Sequence, residues 1–173
     1  MIRVGIITIS DREARGEVED RTYAVMREML SFGPYEICNY EIIPDEPAQI
    51  KRLLRLWTDR DGLDLLLTNG SIRISCRDHV PEATKDMIEK EAPGIAELIR
   101  IEAYKKNPLA ALSRGVAGVR GKTLLINLPG GPQGARDSLE VILPLLPEAV
   151  ERITGRRVAR LASAGVQLQM SAD

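Results

Sequence analysis

Apolar positions run almost unbroken from Ile2 to Ser10 (IRVGIITIS) and then stop at a polar stretch, DREARGEVED. A near-continuous β-branched run of this length reads as a strand buried on both faces. From Arg21 the apolar residues recur at helical spacing (RTYAVMREMLSF), and Gly33-Pro34 ends that pattern. YEICNYEIIP alternates and predicts a second strand. DEPAQIKRLLRLWTDRDG predicts a helix with Asp45 as N-cap, Pro47 near its first position and Gly62 at its close. LDLLLT is a third strand, short, apolar and central. After a polar loop, PEATKDMIEKEA predicts a helix opened by Pro81; Pro93-Gly94 breaks it, and IAELIRIEAY continues as another. GVAGV and KTLLINL, separated by Arg120-Gly121, predict a hairpin that leads into a further strand. PGGPQG (Pro129 to Gly134) follows that strand, and ARDSLEVILPLLPEAVERIT reads as the last long helix. The weakly patterned end divides the chain into a domain of residues 1–155 and a tail of residues 156–173.

Strands alternating with helices imply right-handed βαβ units and a mostly parallel central sheet covered on both faces, a three-layer α/β/α arrangement. Ligands of such sheets bind beyond the C-terminal ends of the strands. Chemistry is therefore expected in the residues just after each strand. Four segments qualify: Ser10-Asp11-Arg12, Asp45-Glu46, Asn69 to Asp78, and Pro129 to Gly134. Two of them are loops that run into helix N-termini, where free backbone N–H groups and the positive dipole end suit a phosphate. A glycine-rich strand-to-helix turn also occurs with no ligand, so LPGGPQG alone does not decide the matter. Asp45 and Asp78 could each face Mg²⁺ on a nucleoside triphosphate, because magnesium takes one or two carboxylates with phosphate oxygens and waters. Taken alone, Asp45 reads better as a plain helix cap, whereas Asp78 stands too far ahead of Pro81 to be an obvious one.

Composition narrows the choices. The 173 residues suffice for one domain with a substantial core. A formal net charge of -1 gives no electrostatic reason for a nucleic-acid or membrane partner, and 3% aromatic residues leave few platforms for stacking bases. Cys38 and Cys76 lack C-x-x-C spacing, Cys76 reads as a small apolar filler, and His79 is the single histidine, which excludes a histidine-rich metal centre. No apolar run approaches the ~20 residues that cross a membrane, and the N-terminus enters a strand without a charged leader pattern, so the expected compartment is the cytoplasm.

ITISDREARGEVED, IIPDE, CRDHVPEATKDMIEKEAPGI and ALSRGVAGVRGKTLLINLPGGPQGARDSLEVILPLLP, in this order, resemble the MogA/MoaB family of molybdenum-cofactor biosynthesis proteins. The resemblance runs along nearly the whole chain, and its IPDE and RD-x-x-PEAT elements are specific. It implies the family's α/β fold, a homotrimer or hexamer, and molybdopterin adenylyltransferase activity: AMP passes from Mg-ATP to the terminal phosphate of molybdopterin. By the same resemblance Asp45 and Asp78 are the catalytic and magnesium-holding residues. The resemblance assigns substrate and nucleotide contacts to Gly70, Glu82, Ser113, Pro129, Gly130 and Gly131, and position just after a strand adds Ser10, Asp11, Asn69, Ser71, Arg73 and Ser75.

One loop departs from the family pattern, TTGGTG-x-x-x-RD. Ser71 stands at the second glycine, Ile72 at the threonine and Arg73 at the third glycine; Asn69 stands where threonine is common and Gln133 where lysine is frequent. A side chain forced to positive φ at position 71 or 73 costs on the order of 1 kcal/mol. Arg73 acts in the other direction, adding a guanidinium beside a phosphate site. Two readings follow. The protein is an active adenylyltransferase with a modified anion loop, or a non-catalytic pterin- or nucleotide-binding or assembly protein whose glycine loop has degenerated.

Overall fold

The unbroken apolar runs become the inner strands of a sheet. A computed structural model describes residues 1–158. Among these residues six strands form one sheet: β1 (Ile2–Ile9), β2 (Tyr35–Ile43), β3 (Leu65–Asn69), β4 (Lys90–Glu91), β5 (Ala117–Arg120) and β6 (Thr123–Leu128). Their order across the sheet is β2-β1-β3-β6-β5-β4. β2, β1, β3 and β6 are parallel, while β5 and β4 add an antiparallel edge. The helices are α1 (Asp11–Ala14), α2 (Arg21–Leu30), α3 (Pro47–Arg55), α4 (Val80–Lys85), α5 (Pro93–Lys106), α6 (Pro132–Ile142) and α7 (Leu146–Thr154).

Side chains of a strand alternate between faces, and here both faces are covered. Ile6, Leu65, Leu67, Leu124 and Ile126 point into one core with Met26 and Leu30 of α2, Ile99 of α5, Leu139 and Ile142 of α6, and Val150 of α7. Ile7, Ile9, Leu66 and Leu125 point into the other, with Ile50, Leu53 and Leu54 of α3, Trp57, and Val80 and Ala83 of α4. This is the three-layer α/β/α arrangement expected of alternating strands and helices.

Several boundaries differ from the pattern reading, each for a physical reason. The segment read as one last helix is two, α6 and α7, separated around Pro144, which has no N–H to continue the ladder. The helix expected from Pro81 to Ala92 ends at Lys85. Lys90–Glu91 instead pairs antiparallel with Gly118 and Val119, because β5 offers an open edge there. The cap of α3 is Glu46, not Asp45, and its side chain makes no capping bond. Asp11–Ala14, read as loop, closes one helical turn because Ser10 caps it, accepting from the Glu13 N–H. Trp57 is core as expected, but it sits in a π-helical turn, Leu56–Arg60, that extends α3. Cys76 is exposed rather than packed as filler. At the expected domain end, Gly155 takes a left-handed φ of 70° that terminates α7. Just beyond, Arg156 pairs with Asp64 at 2.5 Å and Val158 is buried. The remainder of the expected tail lies outside the described residues.

Candidate functional site

Parallel pairing makes β1, β2, β3 and β6 all end at one rim of the sheet. The four chosen segments meet there around a cleft of about 290 Å³. Of the expected residues, Ser10, Asp11, Asp45, Asn69, Gly70, Ser71, Asp78, Gly130 and Gly131 line it, joined by Thr8, Arg12, Glu13, Thr22 and Arg77.

Two glycine turns close against each other at the base of the cleft. Gly70 follows β3 at φ 102°, and a Cβ there would lie 2.3 Å from the Ile9 carbonyl oxygen of β1. Its N–H donates to the Leu128 carbonyl at 3.1 Å. A Cβ on Gly130 would lie 3.2 Å from Gly70 Cα, so the two backbones are in direct contact. Gly131, at φ 91°, is the N-cap of α6 and makes no side-chain cap, which leaves amides of the first turn open to the cleft side. Ser71, at the family's second glycine, has φ 52°, the one positive-φ residue other than glycine among the described residues. Arg73 has no such φ. The strain foreseen for this loop therefore falls on Ser71 alone.

Asp45 is 3% exposed. Its Oδ2 accepts from the His79 N–H at 3.2 Å, which ties the end of β2 to the residue after Asp78. Its N–H donates to Asp11 Oδ1 at 3.0 Å, tying it to the end of β1. Burial raises the Asp45 pKa above the usual carboxylate value, opposed by the His79 N–H and the Ser71 hydroxyl. Asp45 Oδ1 and His79 Nδ1 lie 3.4 Å apart. Neither buried atom makes a hydrogen bond. A buried carboxylate oxygen that makes no hydrogen bond and has only the His79 ring nitrogen near it, on the wall of a cleft, suits a cation. Asp78 is half-buried; its Oδ2 accepts from the Ser75 N–H at 2.8 Å and the Ser75 hydroxyl at 2.6 Å. Among the described residues no three His, Cys, Asp or Glu side chains gather into a metal cage. A cation here would draw on few carboxylates and take the rest of its shell from phosphate and water, the habit of Mg²⁺.

Arg77 reaches across the mouth, 2.9 Å from Asp11 Oδ2 and 3.4 Å from Glu46 Oε1. The remaining expected residues sit off the cleft wall. Glu82, on α4, pairs with Arg114. Arg73 and Ser75 are exposed on the outer turn of the loop. Ser113 ends a 3-10 turn (Pro108–Leu112) and offers its carbonyl to Arg100 at 3.3 Å. Pro129 packs beside Gly134.

Sequence patterns missed a buried polar frame beneath the rim. The Asn69 amide donates to Thr8 Oγ1 at 2.8 Å, and Thr8 Oγ1 donates to Asp20 Oδ2 at 2.5 Å. Asn69 is thus tied inside the fold even though it borders the cleft. The Asn127 amide donates to Thr68 and Thr84 hydroxyls, both at 2.9 Å, and its Oδ1 accepts from the Val116 N–H at 3.2 Å. A polar residue inside an apolar strand run was the available signal: Asn127 interrupts TLLINL.

Residues 5–148 match the family described as probable molybdopterin binding domain. A molybdopterin adenylyltransferase of Helicobacter pylori (strain J99) is 40% identical over 157 residues, 89% of this chain and 89% of the relative. A molybdenum cofactor biosynthesis protein B of Halalkalibacterium halodurans is 32% identical over 155 residues, 88% of this chain and 90% of the relative. Among solved structures, the molybdopterin biosynthesis enzyme MoaB of Thermus thermophilus superposes with a TM-score of 0.88 at 55% identity, covering 92% of this chain and 100% of that one. The fold is shared with that neighbour, and the chain belongs to the MoaB/MogA-type molybdopterin-binding family of molybdenum cofactor biosynthesis proteins.

Proposed function

We propose that the protein is a molybdopterin adenylyltransferase. An oxygen of the molybdopterin phosphate attacks the α-phosphorus of ATP, the bond to the β-phosphate breaks, and pyrophosphate leaves. The observation that carries this reading is the meeting of Asp45, buried with one oxygen lacking a hydrogen bond, with Asp78 and two backbone-to-backbone glycine turns in one cleft. The nucleophile is a phosphate monoester, already ionised at neutral pH, so the reaction asks for positioning and charge neutralisation rather than a base. Open amides at Gly131 and the α6 N-terminus orient phosphate oxygens. Arg77, held by two carboxylates, has a planar fork of donors that suits the triphosphate. Asp45 and Asp78 would hold Mg²⁺, which supplies charge neutralisation at the phosphates.

A homotrimer or hexamer belongs to this reading. Ile101, Tyr104, Leu109 and Leu112 are exposed on α5 and the 3-10 turn, an apolar face for a second copy. We place the enzyme in the cytoplasm; no helix among the described residues is long and apolar enough to cross a membrane.

The non-catalytic reading draws on one observation, the strained Ser71. Incubation of the purified protein with molybdopterin and Mg-ATP separates the two. Adenylated pterin and pyrophosphate, lost in Asp45→Asn and Asp78→Asn variants that keep their fold, support transfer. Pterin binding without product identifies the binding protein, and unchanged turnover in both variants overturns the assignment of the two aspartates.

A further inference from the structure

We infer that Arg114, which does not line the cleft, is a positioning residue for Asp78 that spans the loop between Ser71 and His79 from outside. The inference rests on the proposed adenylyl transfer for its activity readout and on geometry alone for its physical one.

That loop contains no helix or strand, and it begins with a residue at positive φ. Inside it, only a short turn is closed: Ser75 N–H and hydroxyl to Asp78 Oδ2, and the Asp78 N–H to the Ser75 carbonyl at 3.2 Å. Such a turn fixes Asp78 relative to Ser75, and Arg77 and the His79 N–H tie its far side to Asp11, Glu46 and Asp45 at the ends of β1 and β2. Arg114 links the loop from the other side, at carbonyls that those contacts leave unbound. Its N–H donates to the Ile72 carbonyl at 2.7 Å. Its Nε donates to the Arg73 carbonyl at 2.5 Å and its Nη2 to the Asp78 carbonyl at 2.6 Å. Its Nη1 pairs with Glu82, on the helix that follows. One side chain thus bonds the entry of the loop, its exit and the next helix.

The task needs an arginine. Three acceptors in different directions are met by three nitrogens of one rigid plane, whereas a lysine ammonium is a single point on a flexible stem. Arg114 itself is anchored, since it leads directly into β5 through Gly115, whose carbonyl accepts from Arg100 at 2.9 Å. Arg114 is therefore a positioning residue that acts through Asp78.

The test compares wild type, Arg114→Ala and Arg114→Lys by amide hydrogen exchange and by kinetics. Lysine keeps the charge for Glu82, so this variant guards against simple unfolding. In both variants the amides of Ser75, Asp78 and His79 are expected to exchange at least about tenfold faster, while amides of β1 and β3 keep wild-type rates. With Mg-ATP and molybdopterin, kcat is expected to fall on the order of 10²-fold in Arg114→Ala and about tenfold in Arg114→Lys. The half-saturating magnesium concentration should rise while KM for molybdopterin holds. Wild-type exchange at those three amides in Arg114→Lys overturns the inference, as does wild-type magnesium dependence in a variant whose loop exchanges faster. A wild-type protein that makes no adenylated pterin refutes the proposed function instead, and the exchange measurement still decides whether Arg114 holds the loop.

Discussion

Gly70→Ala is the sharpest test of how the cleft is built. The new methyl would meet the Ile9 carbonyl oxygen at 2.3 Å, about an ångström inside ordinary contact. Ile9 ends β1, which is paired on both sides by β2 and β3, and the Gly70 N–H is bound to Leu128. Neither partner can retreat without breaking sheet bonds. An L-residue at the φ of 102° costs about 1–2 kcal/mol, and relieving the overlap adds about 1–3 kcal/mol. The smaller conformational entropy of unfolded alanine returns roughly 0.4–1 kcal/mol. The net loss is about 1–4.6 kcal/mol, a fall in Tm of roughly 2–18 °C for a domain of this size. Gly121→Ala is the control: its φ is 55°, but no atom lies within 4 Å of the added Cβ. It should lose only the conformational part, about 1–2 kcal/mol before the same return of roughly 0.4–1 kcal/mol from the unfolded chain. Melting of the three proteins by circular dichroism at one protein concentration reads the difference. If Gly70→Ala melts no lower than Gly121→Ala, the close approach of Gly70 to the Ile9 carbonyl at the end of β1 does not constrain the cleft, and the reasoning fails.

Asp45→Asn should remove turnover yet melt no lower than wild type at neutral pH. Burial raises the Asp45 pKa, so its contribution is most favourable below the usual carboxylate value and is lost as pH rises through the raised folded value. The variant's advantage should therefore grow as pH rises above about 4, the ordinary carboxylate range; a melt well below wild type at neutral pH would contradict this. Asn127→Leu strips partners from the Thr68 and Thr84 hydroxyls and the Val116 amide at once, and should cost about 3 kcal/mol or more in chemical denaturation. A loss under about 1 kcal/mol would mean that the network is not holding β3, β6 and α4 together. Ile101→Lys combined with Leu109→Lys should shift the light-scattering mass to that of one chain; an unaltered mass places the subunit contact elsewhere.

Much of the architecture was readable along the chain because its signals are local. A run such as IRVGIITI can be satisfied only by covering both faces, and the Arg120-Gly121 turn joins strands too close together for anything but a hairpin. The four rim segments were found by one rule, that parallel strands present their C-terminal ends together, and that rule held at every strand of the parallel set. Ser71 shows how far local chemistry reaches: a departure from glycine marked the residue now seen at positive φ.

What the chain could not declare is whatever depends on a partner distant in sequence. Lys90–Glu91 has helical neighbours, but an open β5 edge offers it backbone partners that outweigh propensity. Asp45 has the form of a helix cap in its own segment. Only the approach of His79, thirty-four residues on, and of Asp11, thirty-four residues back, turns it into a buried carboxylate with one oxygen free of hydrogen bonds. Arg114 likewise reads as one more charged loop residue until the fold brings the carbonyls of Arg73 and Asp78 to it. Periodicity and turn chemistry are properties of neighbours along the chain. Desolvation and hydrogen-bond satisfaction are properties of neighbours in space, and those exist only once the sheet has closed.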